Sequence, residues 1–164
     1  MDERKSGKTL FICRAAVIAA LYVVLTWVSN LYSGASGVIQ VRLSEALCIL
    51  PVFTSAAIPG LTVGCLLANL LTGCIWADVI FGPVATLIGA VGTYLLRRMK
   101  WLAPIPPIVA NALIVPLILS YAYHVETAIP FMILTVGAGE IISVYVLGMI
   151  LFFALNRHKK ALFD

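Results

Sequence analysis

The sequence predicts an all-α integral membrane protein, a bundle of six transmembrane helices with a short second helix and both termini on the cytoplasmic side. Three observations predict it. Of the 164 residues 62% are hydrophobic and only 11% are charged, whereas a soluble globular domain carries about 25% charged residues. The apolar residues fall in long continuous runs, where a membrane β-barrel would show segments of about ten residues with alternating polarity. Finally, six crossings place all but one of the 11 Lys and Arg residues on one side of the membrane, as the positive-inside rule requires. This composition excludes a soluble fold, a disordered chain and a conventional nucleic-acid-binding domain. The net charge of +4 therefore reports orientation and contact with anionic lipid, with no nucleic-acid partner.

Residues 1–9 read as a cytoplasmic leader and residues 10–164 as a single membrane domain. The first run, Leu10 to Leu31, is too long for the core of a secretory signal, although Ser33-Gly34-Ala35 weakly resembles a cleavage site, and it reads as a retained helix. From Leu43 to Trp76 the chain is predominantly apolar but carries Pro51 and Pro59. One straight helix there would be roughly 51 Å long, too long for a ~30 Å hydrocarbon core, so the run must be two pieces. Its first piece, Leu43 to Phe53, is either a short crossing or a re-entrant segment. Val79 to Leu96, Ile108 to Tyr123 and Pro130 to Ala154 follow. Six crossings leave Arg42 as the cation outside, with Arg4, Lys5, Lys8, Arg14, Arg97, Arg98, Lys100, Arg157, Lys159 and Lys160 inside. A path in which the short piece does not cross strands the N-terminal cations outside, so the six-crossing path is preferred.

With the flanks set aside, the remaining charged residues are Arg42, Glu45, Asp78, Glu126 and Glu140, all on the outer side or in the outer half of the membrane. Glu140 lies ten residues into the final span, ~15 Å below the outer edge, where an acidic residue costs roughly 2.5 to 3.5 kcal/mol. Such a residue marks a site by default; the structural alternative is a protonated Glu bridging two helices. Gly137, Ala138 and Gly139 just before it remove bulk and let a ligand or a backbone approach. Arg42 and Glu45 share a helical face, where they could pair, cap the helix or bind a ligand. Asp78 reads as a helix cap or as an anion lining an outward-facing cup. Glu126 reads as solvated. Asn69 and Asn111 read as interhelical glue. Trp27, Trp76 and Trp101 suit interface anchors, and Trp76 could also stack a flat ligand. Ala15 with Ala19, and Ala16 with Ala20, give the first helix a smooth face, as Gly60, Gly64 and Ala68 do for the third. Each face suits packing inside the bundle, and the first could instead meet another subunit.

Catalytic chemistry has little to work with. The histidines are His124 and His158, no H-E-x-x-H occurs, and Cys13, Cys48, Cys65 and Cys74 form no C-x-x-C, so no enzyme activity, metal or disulfide is expected. Ser6-Gly7-Lys8-Thr9 looks like the tail of a phosphate-binding loop, but Asp2 stands where the leading Gly belongs. Energy for any transport must come from an ion gradient or another protein.

Several short motifs agree in order and spacing with a known family. Gln40 to Leu47 (QVRLSEAL), Phe53 to Leu61 (FTSAAIPGL), Asn69-Leu70-Leu71, Asp78 to Gly82 (DVIFG), Ala85-Thr86-Leu87, Leu102-Ala103-Pro104, Asn111-Ala112 and Gly139-Glu140 resemble the QueT family from about Ile39 onward. These are queuosine-precursor substrate-binding subunits of energy-coupling-factor (ECF) transporters. The resemblance implies a subunit of the bacterial plasma membrane that takes its ligand from outside and binds no cofactor itself. It also implies partners: a transmembrane coupling protein (the T component) and two cytoplasmic ATPases, whose ATP turnover topples this subunit to release the ligand inside. The coupling protein would dock on Ala15, Ala16, Ala19 and Ala20, and Ser33 to Val41 would form a lid.

The implied ligand is a 7-deazaguanine base such as preQ0, preQ1 or queuine. A carboxylate can accept both adjacent N–H donors of a guanine-like edge, and Glu140 is the first choice; the carbonyl needs a donor such as Asn69, Asn111 or Arg42. A cationic substituent would need a second acid, Asp78 or Glu45, and Tyr121, Tyr123 or Trp76 could cover the ring. The competing expectations are a sister subunit for another vitamin-like ligand, a self-sufficient ion-coupled carrier and a small membrane enzyme.

Overall fold

The computed structural model describes residues 3–33, 41–124 and 127–158, and every regular element among them is helical. α1 spans Glu3–Ser33, a 3-10 helix η1 spans Leu43–Val52, and α2, α3 and α4 span Ala57–Leu71, Trp76–Leu95 and Ile105–Tyr121. The final rod joins α5 (Ile129–Glu140), a π-helical stretch Ile141–Leu147 and α6 (Gly148–Arg157). Three helical segments, Gly7–Leu31, Trp76–Leu95 and Ile129–Arg157, are long and apolar enough to cross a membrane, while η1, α2 and α4 are shorter apolar helices.

Many large apolar side chains face outward, and small ones fill much of the interior beside buried Ile49 and Leu61. Leu31, Leu95 and Leu134 are each 72% exposed, whereas Ala57, Ala85, Ala90 and Ala103 are fully buried. In lipid a leucine gains nothing by leaving the surface, while small interior residues let helix backbones approach and gain van der Waals contact. The α1–α2 seam is built this way. A Cβ on Gly60 would stand 2.8 Å from the Ala15 carbonyl oxygen, and one on Gly64 would stand 2.8 Å from Tyr22 Cβ and 3.1 Å from Ala19 Cα. The smooth face of α1 is therefore divided: Ala15 and Ala19 pack on α2, while Ala16 and Ala20 remain exposed.

Element ends depart from the sequence expectation for local reasons. The part of the leader that is described, from Glu3, continues α1 without a break. The run from Leu43 to Trp76 is interrupted twice, around Phe53–Ala56 and again after Leu71, where Gly73 takes φ +71, a left-handed value that glycine adopts without a Cβ clash. α4 begins at Ile105 because proline in its first turn forfeits no intrahelical bond, and it ends at Tyr121, which leaves Tyr123 in the following loop. Pro59 likewise sits in the first turn of α2.

The short second helix is the axis of the bundle. Ser44, Glu45, Leu47, Cys48, Ile49, Leu50 and Pro51 are buried, and η1 packs against α1, α2, α3, the π-helical stretch and α6. Backbone that departs from the α-helix is tolerated at membrane depth when protein surrounds it. At ~2.0 Å per residue, η1 extends about 20 Å. One end of the bundle carries exposed Arg97, Arg98, Lys100 and Arg157, with Lys100 Nζ 5.5 Å from the Trp101 ring. The opposite end gathers the starts of η1, α3 and α5 and the ends of α2 and α4.

Candidate functional site

That opposite end holds a cavity of about 90 Å³. Its polar wall is Arg42, Asp78, Thr135 and Glu140, and its apolar wall is Val115, Leu119 and Val136. On the same volume scale a water needs about 10 to 15 Å³, so the cavity matches six to nine waters, the size class of a small heterocycle. A larger groove of about 390 Å³ runs between α1, η1 and α6 beside Arg14, but its walls are nearly all aliphatic and present few of the convergent polar groups that orient a ligand.

Three elements aim charged groups into the cavity. Arg42 precedes η1, and its backbone N–H donates to Ser143 Oγ at 3.0 Å, while the next N–H, of Leu43, donates to Ser29 Oγ at 2.8 Å. These bonds satisfy donors that the start of a helix leaves open. The Arg42 guanidinium lies within electrostatic reach of Glu45, Glu140 and Asp78. Glu140 is the last residue of α5, where the rod passes into its π-helical stretch, a widened turn that recurs at functional sites. It is 7% exposed, and its Oε2 has no hydrogen-bond partner. An acceptor held this way is costly unless something donates to it.

Asp78 lies in the first turn of α3, where the helix dipole favours an anion. It is not the cap; Ile75 holds that position with no side-chain bond, and Asp78 lines the cavity. Tyr123 from the α4–α5 loop donates to Asp78 Oδ2 at 2.7 Å and receives the Ile75 N–H at 3.4 Å. Partial burial, and then the bond to Asp78, push the Tyr123 phenol up to about 12. Asn69 fixes the same turn from α2, its Nδ2 donating to the Asp78 carbonyl oxygen at 2.8 Å. A Cβ on Gly82 would stand 2.6 Å from that Nδ2, so the glycine makes room for the amide.

The other residues singled out from sequence lie elsewhere. Glu45 is 2% exposed and lies outside the cavity wall, with both oxygens engaged. Tyr22 donates to Oε1, while Cys48 at 3.2 Å and Asn111 at 3.4 Å donate to Oε2. The carboxylate is thus a knot joining α1, η1 and α4, and Asn111 also lies beside Glu140. Trp76 and Tyr121 are 79% and 74% exposed and do not line the cavity. Residues 34–40 of the expected lid, and Glu126, lie outside the described residues. Sequence reasoning missed Thr135, Val136, Val115 and Leu119. Their signal was present: Val136 precedes Glu140 by one helical turn, as Val115 precedes Leu119.

Among the described residues no group of three His, Cys, Asp or Glu side chains is placed to hold a metal ion. What the arrangement offers is recognition, with a guanidinium donor, two carboxylates on different helices and an apolar slot between them. No solved structure matches the chain. The queuosine precursor transporter QueT of Lactococcus lactis subsp. cremoris (strain MG1363) is 39% identical over 97 residues, which cover 58% of this chain and 57% of that protein. The match thus spans a little over half the length of that curated relative. The family model described as QueT transporter matches residues 12–157. That match takes in every residue lining the cavity, and the chain belongs to the QueT transporter family.

Proposed function

We propose that the chain is the substrate-capture subunit of an ECF importer that takes up a queuosine precursor of the 7-deazaguanine class. The single observation that carries this reading is the buried, unpartnered Glu140 Oε2 in the wall of a cavity that also presents Arg42. Glu140 accepts the paired N–H donors of a guanine-like edge, Arg42 donates to the ring carbonyl, and Val115, Leu119 and Val136 flank the ring faces. The name of the Lactococcus relative, a queuosine precursor transporter, supports this ligand class.

In this reading the bundle crosses a bacterial plasma membrane six times with both termini inside. The basic end then faces the cytoplasm, so the cavity opens outward. α2 and α4, of 15 and 17 residues, reach about 22 and 25 Å, a shortfall that local bilayer thinning absorbs. The chain performs no bond chemistry. A membrane coupling protein and two cytoplasmic ATPases provide the power, and the subunit topples to release its ligand inside. Ala16 and Ala20, left exposed on α1, are the part of the small-residue face open to that partner.

The test is calorimetric titration of the purified protein in nanodiscs with 7-deazaguanine bases, and with riboflavin, thiamine and biotin as controls. Saturable binding of the bases alone is expected. Binding of a vitamin instead, or uptake by proteoliposomes holding this chain without ATPases, would overturn the proposal.

A further inference from the structure

We infer that Ser143 is a positioning residue for recognition: it ties the Arg42 backbone to the rod that carries Glu140, and so sets the donor and the acceptor of the site against each other. The inference rests on the base-capture reading and goes further by naming a residue that acts on the ligand only through Arg42. Ser143 is 1% exposed and does not line the cavity. Its Oγ accepts the Arg42 N–H at 3.0 Å across 101 positions of sequence. Glu140 lies one turn before it, where the rod passes from α5 into its π-helical stretch. One short element therefore bears the acceptor and holds the backbone of the donor.

The start of η1 does not hold Arg42 by itself. Arg42 is the N-cap, with an extended backbone (φ -104, ψ 112) and no side-chain cap bond. The Glu45 N–H uses the Arg42 carbonyl, while the Arg42 N–H must find its acceptor outside the helix. Two serines hold this start, and they are not equivalent. Ser29 of α1 accepts the Leu43 N–H at 2.8 Å, and its own hydroxyl donates to the Leu25 carbonyl on the same helix. Neither Leu43 nor any residue of α1 lines the cavity, so Ser29 secures η1 without reaching the site. Arg42 does line the cavity, and the tie to Ser143 therefore fixes a recognition group. A buried N–H that loses its acceptor carries the full cost of desolvation. Without the Ser143 hydroxyl the Arg42 backbone must seek another acceptor, and the guanidinium loses its fixed place in the wall. A donor held in place beforehand binds with little ordering cost.

In the test, preQ0, preQ1 and queuine are titrated into the purified protein in nanodiscs, and the tightest binder is carried through the variants. Ser143→Ala should weaken its binding about fivefold, the worth of one neutral hydrogen bond. Arg42→Ala removes the group through which Ser143 acts, so in that background Ser143→Ala should change Kd by less than about twofold. Ser29→Ala removes a bond of the same kind from the next N–H. It should lower the unliganded melting temperature as Ser143→Ala does, yet keep Kd within about twofold of wild type. Ser143→Cys, which nearly keeps the volume and offers a weaker acceptor, repeats the comparison if Ser143→Ala does not fold. A wild-type Kd for the Ser143 variant, an equal loss with and without Arg42, or an equal loss from Ser29→Ala would overturn the inference, and in each case base capture would stand. Failure of all three bases to bind wild type would overturn base capture and this inference with it.

Discussion

Glu140→Gln changes one group in the wall of the cavity and almost nothing in side-chain volume. In the structure Oε2 has no internal partner, so replacing an oxygen by an amide there breaks no bond within the protein. Removing a buried acid from the membrane interior relieves part of the roughly 2.5 to 3.5 kcal/mol an acidic residue costs there. The unliganded variant should therefore insert normally and melt at or above the wild-type temperature. Binding should move the other way. A carboxylate accepts both donors of a guanine-like edge, whereas the amide accepts one and confronts the other with its own N–H. Losing a hydrogen bond to a charged group costs at least about 1.5 kcal/mol, which is roughly twelvefold in Kd. Calorimetric titration in nanodiscs beside thermal unfolding of the unliganded protein reads both effects. A Kd within twofold of wild type would refute the role of Glu140 in the site. A fall in unliganded stability would show instead that it is a structural bridge.

Other perturbations probe the framework. Ala20→Trp adds bulk on the exposed side of α1 and should block co-purification with the coupling protein while sparing base affinity; wild-type yield of the complex would remove that docking face. Ala19→Trp should instead destabilise the chain itself, because Ala19 is buried against Gly64, and its melting temperature should fall well below that of Ala20→Trp. Glu45→Ala leaves the Tyr22 hydroxyl and the Asn111 amide without their acceptor and should lower stability by at least about 2 kcal/mol in thermal unfolding; an unchanged transition would show that the knot is not needed. The Tyr123 phenol is raised to about 12, so its bond to Asp78 contributes fully below the ordinary tyrosine value near 10 and is lost as pH rises through about 12. Between pH 7 and 9 the wild type and Tyr123→Phe should therefore keep a constant affinity ratio, and a ratio that changes in that interval would contradict the assignment.

How much of this was legible beforehand varied from residue to residue. Glu140 could be found from sequence because a carboxylate deep in an apolar run is costly enough to stand out without any knowledge of its neighbours. Asn69 as glue was also legible, since a buried amide must find a partner, and it finds the Asp78 carbonyl. The different fates of Asp78 and Glu45 were not legible. Both are acids near helix starts, and only packing turns one into the cavity and ties the other to α1 and α4. The smooth face of α1 shows the same limit: spacing reveals four alanines, but the glycines of α2 determine which two are covered.

The one-dimensional pattern by itself determined the helical membrane class, the approximate apolar segments and the presence of an acid that needs a reason, because these follow from transfer free energies that act residue by residue. Tertiary structure decided the rest. The 3-10 form of η1 and the π-helical widening after Glu140 are set where several elements crowd one axis. The joining of Arg42, Asp78 and Glu140 around one cavity depends on contacts between residues far apart in the chain, and no local propensity encodes them.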